Sequence, residues 1–139
     1  MTIGLGFKLT DLKKSIDTFS GGQKTRIALG ALLLSTPDLL MLDEPTNYLD
    51  LQTVAWLENY LKSYPNAFII ISHDRYFLNH VCSRVIEIAH HQFLSFEGNY
   101  SDFLVKKRKY DQARQAAIAR NNKEMARQQA IIDQLRSRH

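Results

Sequence analysis

Between Ser20 and Phe96 the apolar positions switch repeatedly between a helical and an extended rhythm. The spacing predicts a helix over residues 21–35, a strand over 39–43, a helix over 51–63, a strand over 67–72, a short helix over 75–81 and strands over 84–89 and 92–96. Helices and strands in alternation argue for an α/β domain. Leu39 to Leu42 and Phe68 to Ile71 are continuous apolar runs, the pattern of parallel strands covered on both faces. In the helix between them, Val54, Leu57 and Leu61 form one apolar stripe, and the first helix carries Ile27, Ala31 and Leu34. Pro37 and Pro65 each stop the helix before a strand. Phe93, Leu94, Ser95 and Phe96 suggest a short edge hairpin.

The last part of the chain follows another pattern. No Gly or Pro occurs after Gly98, and Ala, Gln, Arg and Lys dominate, which favours one long helix of about 57 Å over roughly 38 residues. Its apolar residues recur every seven positions in two sets, Phe103, Tyr110, Ala117 and then Ile118, Met125, Ile132, with Leu135 beside the second. That is a weak coiled-coil seam with a stutter.

Charge sharpens the division. The formal net charge is +4, yet residues 1–100 hold 8 Lys/Arg against 10 Asp/Glu, while residues 101–139 hold 10 against 4. We therefore expect a compact domain over 1–100 and a basic helical arm over 101–139. Lys106, Lys107, Arg108 and Lys109 form the densest patch, with Arg114 following. Such an arm serves either solubility or contact with an anionic polymer.

Composition adds limits. A length of 139 residues and a hydrophobic content of 45% suffice for one core. No apolar run approaches the roughly 18 residues needed to span a bilayer, and the Met1 segment lacks the apolar stretch of a signal peptide, so a soluble, cytoplasmic protein is expected. Cys82 is the only cysteine, which leaves no intrachain disulfide and no Cys-based zinc site, and suits a small buried hydrophobe.

Three clusters carry candidate chemistry. Asp43 and Glu44 follow the first strand, placing two carboxylates at the C-terminal edge of a parallel strand, where open α/β sheets bind ligands. One acid there can hold a hydrated Mg²⁺ on a nucleotide phosphate while the other orients or deprotonates an attacking water; the alternative is a solvated turn at Asp43-Glu44-Pro45. The second strand ends in Ser72-His73-Asp74-Arg75, so His73 would stand at the same edge, either near a terminal phosphate or simply before a helix capped by Asp74. Ser20-Gly21-Gly22-Gln23 opens the first helix as a capping box or as an anion site. The second glycine, costly in a first turn by up to about 1 kcal/mol, tilts the balance toward a ligand. No glycine is followed by lysine, so the phosphate-cradling G-x-x-x-x-G-K-[ST] loop is absent from this sequence.

Phe19-Ser20-Gly21-Gly22-Gln23, Leu39 to Glu44, Asn47-Tyr48-Leu49-Asp50 and Ser72-His73-Asp74 stand in an order and spacing that resembles an ATP-binding cassette ATPase. They look like its signature (with Phe19 for Leu), Walker B strand, D-loop and switch-histidine loop. The resemblance implies the C-terminal part of a P-loop NTPase sheet flanked by helices, with ATP and Mg²⁺ as ligands. It implies that Asp43 acts through water on Mg²⁺, that Glu44 is the catalytic base and that His73 contacts the γ-phosphate. Asp50 would couple two composite sites, while Ser20, Gly21, Gly22 and Gln23 would face the γ-phosphate of an ATP held by a second cassette.

Ser20 to Arg26, Glu44 to Asp50 and Ser72 to Leu78 further resemble the ABC-F class, with Tyr48 where that class usually has His. This class has two cassettes in one chain, no membrane domains and a main site of action on ribosomes, near tRNA. Gly98-Asn99-Tyr100-Ser101 and the basic helix match the end of a first cassette and the start of the linker, and the first 19 residues match the end of the helical subdomain. By that comparison the chain is a fragment without the P-loop half or the second cassette, and by itself catalytically silent. The energising subunit of a membrane transporter and a non-enzymatic RNA- or protein-binding piece are the rival expectations.

Overall fold

The computed structural model describes residues 4–89 and 91–137. His90, in the expected hairpin turn, and the last two residues of the expected arm lie outside them. The chain divides into two compact units, Met1–Cys82 and Ser83–His139, which groups the hairpin with the long helix.

In the first unit, two 3-10 helices, Leu9–Lys13 and Ile16–Thr18, precede helix α1, Gly21–Leu34. Strand β1 (Leu39–Asp43), helix α2 (Leu51–Lys62), strand β2 (Ala67–Ile71) and helix α3 (Arg75–Val81) follow. These bounds match the expected ones to within a residue because local chemistry marks the ends. Ser20 caps α1, its Oγ accepting the Gln23 amide at 3.2 Å while Gln23 Oε1 accepts the Ser20 amide at 2.9 Å. Asp74 caps α3 by accepting the Phe77 amide at 3.0 Å.

Strands β1 and β2 pair in parallel, Leu39 opposite Ala67 through to Asp43 opposite Ile71. Leu40 and Leu42 turn toward Leu33, Leu57, Leu61, Phe77 and Val81 to form the core. Half-buried Cys82 packs against this cluster, and burial raises its thiol pKa. Tyr60 and Tyr64 stitch α2 to the chain around β1, each donating at 2.7 Å, to the carbonyls of Leu33 and Pro37.

Two expectations are corrected here. The apolar runs suggested cover on both sheet faces, but Leu39, Met41, Ile69 and Ile71 are 48–66% exposed. The helices of this unit lie on the Leu40/Leu42 side, and no described element of the unit covers the other face. In α1 the buried positions are Gly30 and Leu33, whereas Leu34 is 67% exposed. The three consecutive leucines Leu32 to Leu34 leave the facing of the helix ambiguous in sequence. Packing decides it: Leu5 lies so close to Gly30 that a Cβ there would come within 2.6 Å of it. Ile27, Ala31 and Leu34 instead line an open apolar groove of about 340 Å³ with Leu5 and Phe7.

In the second unit, β3 (Arg84–Ala89) and β4 (Gln92–Glu97) pair antiparallel, Arg84 opposite Glu97, and α4 runs unbroken from Tyr100 to Arg136. At 37 residues it is about 55 Å long. Gly98 makes the corner with φ of 110°, and its amide donates to Ser83 O at 2.8 Å; a Cβ there would strike Asp102. Asn99 and Asp102 form a capping box, each side chain accepting the other's amide at 3.0 Å. Asn99→Ala is therefore expected to cost about 1 kcal/mol of stability, read from urea unfolding of this chain, with exchange protection lost first over the opening turn of α4. Unchanged protection there would discard the cap as an anchor.

The first apolar set of α4 docks on the hairpin. Phe103 and Tyr110 stack edge-on against Phe96 at 5.3 and 6.2 Å, and Lys107 pairs with Glu87 at 2.7 Å and Asp111 at 3.0 Å. Those carboxylates raise the Lys107 pKa, Glu87 most strongly. The second set, Ile118, Met125, Ile132 and Leu135, remains exposed.

Candidate functional site

The parallel ladder runs one bond beyond β1, with the Glu44 amide donating to Ile71 O at 2.7 Å. Pairing Asp43 with Ile71 therefore sets Glu44 beside the residues that leave β2. The Glu44 carboxylate, 26% exposed, accepts the Ser72 hydroxyl at 3.4 Å and the His73 amide at 3.3 Å, both on Oε2. His73 Nε2 lies 3.5 Å from Oε1, on a fully exposed side chain. Two of the expected site residues, Glu44 and His73, are thus brought together. Glu44 adopts the left-handed region with φ of 46° and Tyr48 with φ of 66°. Non-glycine residues held there cost of order 1 kcal/mol or more, and such strain concentrates at functional loops.

Asp43 ends β1 exposed, its carboxylate without a hydrogen bond or ion pair among the described residues. No group of three or more His, Cys, Asp or Glu among them is arranged to hold a metal by protein donors alone. Asp43 instead fits a Mg²⁺ that keeps water and nucleotide phosphates as its other ligands, the usual arrangement for that ion.

Asp50 stands at the N-cap of α2. Its carboxylate accepts the hydroxyl of buried Thr53, and this bond holds its pKa below the usual carboxylate value. At the start of α1, Ser20 and Gln23 are occupied with each other in the capping box. Gly21 and Gly22 have ordinary helical φ. A Cβ at Gly21 would meet nothing within 4 Å, and one at Gly22 would meet only Tyr48 Cβ at 3.7 Å. Neither glycine is required by backbone or by packing among the described residues, so both remain open to an incoming group. Among the described residues no hydrogen bond or ion pair joins this helix start to the Glu44–His73 pair.

On α4, Lys106 donates to Glu97 O at 2.6 Å and Lys107 is held by its two carboxylates, so both fasten the helix to the hairpin. The side chains of Arg108, Lys109 and Arg114 make no hydrogen bond or ion pair among the described residues. Arg114 follows Tyr110 by one turn on the apolar side. At about 100° per residue, Lys109, Arg120, Lys123 and Arg127 fall within about 60° of one another, roughly opposite Ile118, Met125 and Ile132. All four are exposed. Sequence reading missed this stripe because its members are spread over 19 residues rather than clustered. It also missed Ser72, whose only signal was a hydroxyl between a strand end and a capping aspartate.

Comparison with known proteins follows the same outline. Two family profiles, both described as ABC transporter, match residues 3–47 and 86–139. The protein YdiF of Bacillus subtilis is 45% identical over 130 residues, 94% of this chain and 20% of its own length. ABC transporter F family member 5 of Arabidopsis thaliana is 41% identical over 94% of this chain and 19% of its own. The ATP-binding protein ChvD of Rhizobium radiobacter is 46% identical over 85% of this chain and 41% of its own. The chain thus spans about a fifth of the first two relatives. No helix among the described residues is long and apolar enough to cross a membrane. With two profiles of one family matched in sequence order, this chain carries ABC transporter family segments, and its relatives along nearly its whole length include ABC transporter F family members.

Proposed function

We propose that this chain supplies the hydrolytic carboxylate edge of an ABC-F ATPase that works in the cytoplasm on the ribosome, closing with a second cassette around ATP. The observation that carries the reading is the Glu44 carboxylate, fixed through one oxygen by Ser72 and the His73 amide, with the other beside the His73 imidazole. In this reading water attacks the γ-phosphorus, its proton passes to Glu44 and the bond to ADP breaks, giving ADP and phosphate. His73 Nε2 contacts the γ-phosphate and holds the water between that phosphate and Glu44. Asp43 would hold a Mg²⁺, which when bound would neutralise charge on the nucleotide phosphates. The open glycines of α1 support a role toward a phosphate brought by the second cassette, since no packing among the described residues needs them. Asp50, its carboxylate held by the Thr53 hydroxyl, would signal between the two sites. The basic α4, with Lys106 and Lys107 anchoring its base, would carry the contact with ribosomal RNA or tRNA.

The test replaces the matching stretch of Bacillus subtilis YdiF by this chain and follows Mg²⁺-dependent phosphate release, with unmodified YdiF as reference. Turnover by the chimera and none by the 139-residue chain alone is expected, because this sequence has no phosphate-cradling loop. A folded chimera that binds ATP yet releases no phosphate, beside an active reference, would overturn the proposal.

A further inference from the structure

We propose that Ser72 is a positioning residue for the general base, selecting which oxygen of Glu44 meets water; the inference rests on the reading of Glu44 given above. Ser72 Oγ accepts the Asp74 amide at 3.0 Å, so the hydroxyl's single proton is left to point elsewhere, and Glu44 Oε2 stands 3.4 Å away. The His73 amide reaches the same oxygen at 3.3 Å. Two donors on Oε2 fix the rotation of the carboxylate and leave Oε1, next to the exposed His73 imidazole, as the oxygen that takes the proton from the attacking water. The amide is part of the backbone, so the hydroxyl is the side-chain element of this hold.

Ser72 is not needed to start α3. Asp74 caps that helix independently through the Phe77 amide at 3.0 Å, and the β1–β2 ladder reaches Glu44 through its own amide. Removal of the hydroxyl should therefore loosen the base and spare the fold.

In the YdiF chimera, Ser72→Ala is expected to lower kcat about tenfold with the KM for ATP unchanged, a fraction of the 10²–10⁴ that a general base contributes. Ser72→Thr, which restores a hydroxyl, should recover most of that loss. On a Glu44→Gln background Ser72→Ala should have no further effect, since its action passes through Glu44. Equal turnover by Ser72→Ala and the parent chimera, where Glu44→Gln is inactive, overturns the role of Ser72 and leaves Glu44 standing. Full turnover by Glu44→Gln removes the underlying reading instead.

A second measurement needs no turnover. In the 139-residue chain, the His73 amide proton resonance should shift in Ser72→Ala toward its position in Glu44→Ala, and stay at the wild-type position in Ser72→Thr. A Ser72→Ala resonance that remains at the wild-type position overturns the proposal on its own.

Discussion

Glu44→Gln in the YdiF chimera is expected to reduce phosphate release by about 100-fold or more while ATP binding is retained, the low end of what a general base contributes. Glutamine nearly matches glutamate in volume and keeps one carbonyl oxygen. That oxygen can still accept the Ser72 hydroxyl and the His73 amide now held by Oε2. The left-handed backbone at residue 44 and its amide bond to Ile71 do not involve the side chain and should persist. What disappears is a group able to take a proton and a negative charge beside His73 Nε2. The substitution therefore separates chemistry from architecture, and the two readouts must diverge. Phosphate release under saturating ATP reports the first, and equilibrium binding of labelled ATP the second. Turnover within threefold of the parent chimera would remove Glu44 from the role of base, and loss of ATP binding would mean that the carboxylate supports structure instead.

The parts of the fold legible from sequence were those where local chemistry decides. Ser20 and Asp74 cap α1 and α3, and each cap is a short-range contact of a polar side chain with an amide three residues on. The parallel strands were legible from their apolar runs and lengths. What sequence could not convey is which side of an element meets a partner. The exposed Leu39, Met41, Ile69 and Ile71 are as apolar in type as the buried Leu40 and Leu42, and hydrophobicity does not say where a covering element lies. The turn of α1 onto Gly30 and Leu33 depends on Leu5, 25 positions earlier.

The candidate site divides along the same line. That Glu44 and His73 share an edge follows from their places at the ends of two strands. That Ser72 and the His73 amide grip one oxygen depends on register and on a left-handed residue that no pattern announces. On the arm, the sequence showed four adjacent cations but not their division of labour. Two of them, Lys106 and Lys107, find acceptors on the hairpin, at Glu97 O and Glu87, that lie far from them in sequence.

That division sets the second large effect. Replacing Lys109, Arg120, Lys123 and Arg127 together with Gln is expected to weaken binding of this chain to duplex RNA and to remove most of its salt dependence. Each phosphate neutralised contributes about 0.9 to the slope of log affinity against log salt, so four contacts give about 3.6. Raising salt from about 50 to 200 mM should then weaken the wild-type chain roughly 100-fold and the variant far less. The four side chains are exposed and make no ion pair among the described residues, and Gln is a good helix former, so the variant should keep its helix content and unfolding midpoint. Arg108→Gln with Arg114→Gln provides the counter-test, because these cations lie off the stripe and Arg114 continues the apolar side. Their loss should leave most of the slope intact. If that pair removes as much slope as the stripe does, binding follows charge density near the hairpin and not one face of the helix. The distinction has a geometric reason. The helix between Lys109 and Arg127 extends about 27 Å, and only a stripe that keeps to one side of it can meet a duplex along that length while the opposite side, with Ile118, Met125 and Ile132, stays available for an apolar partner.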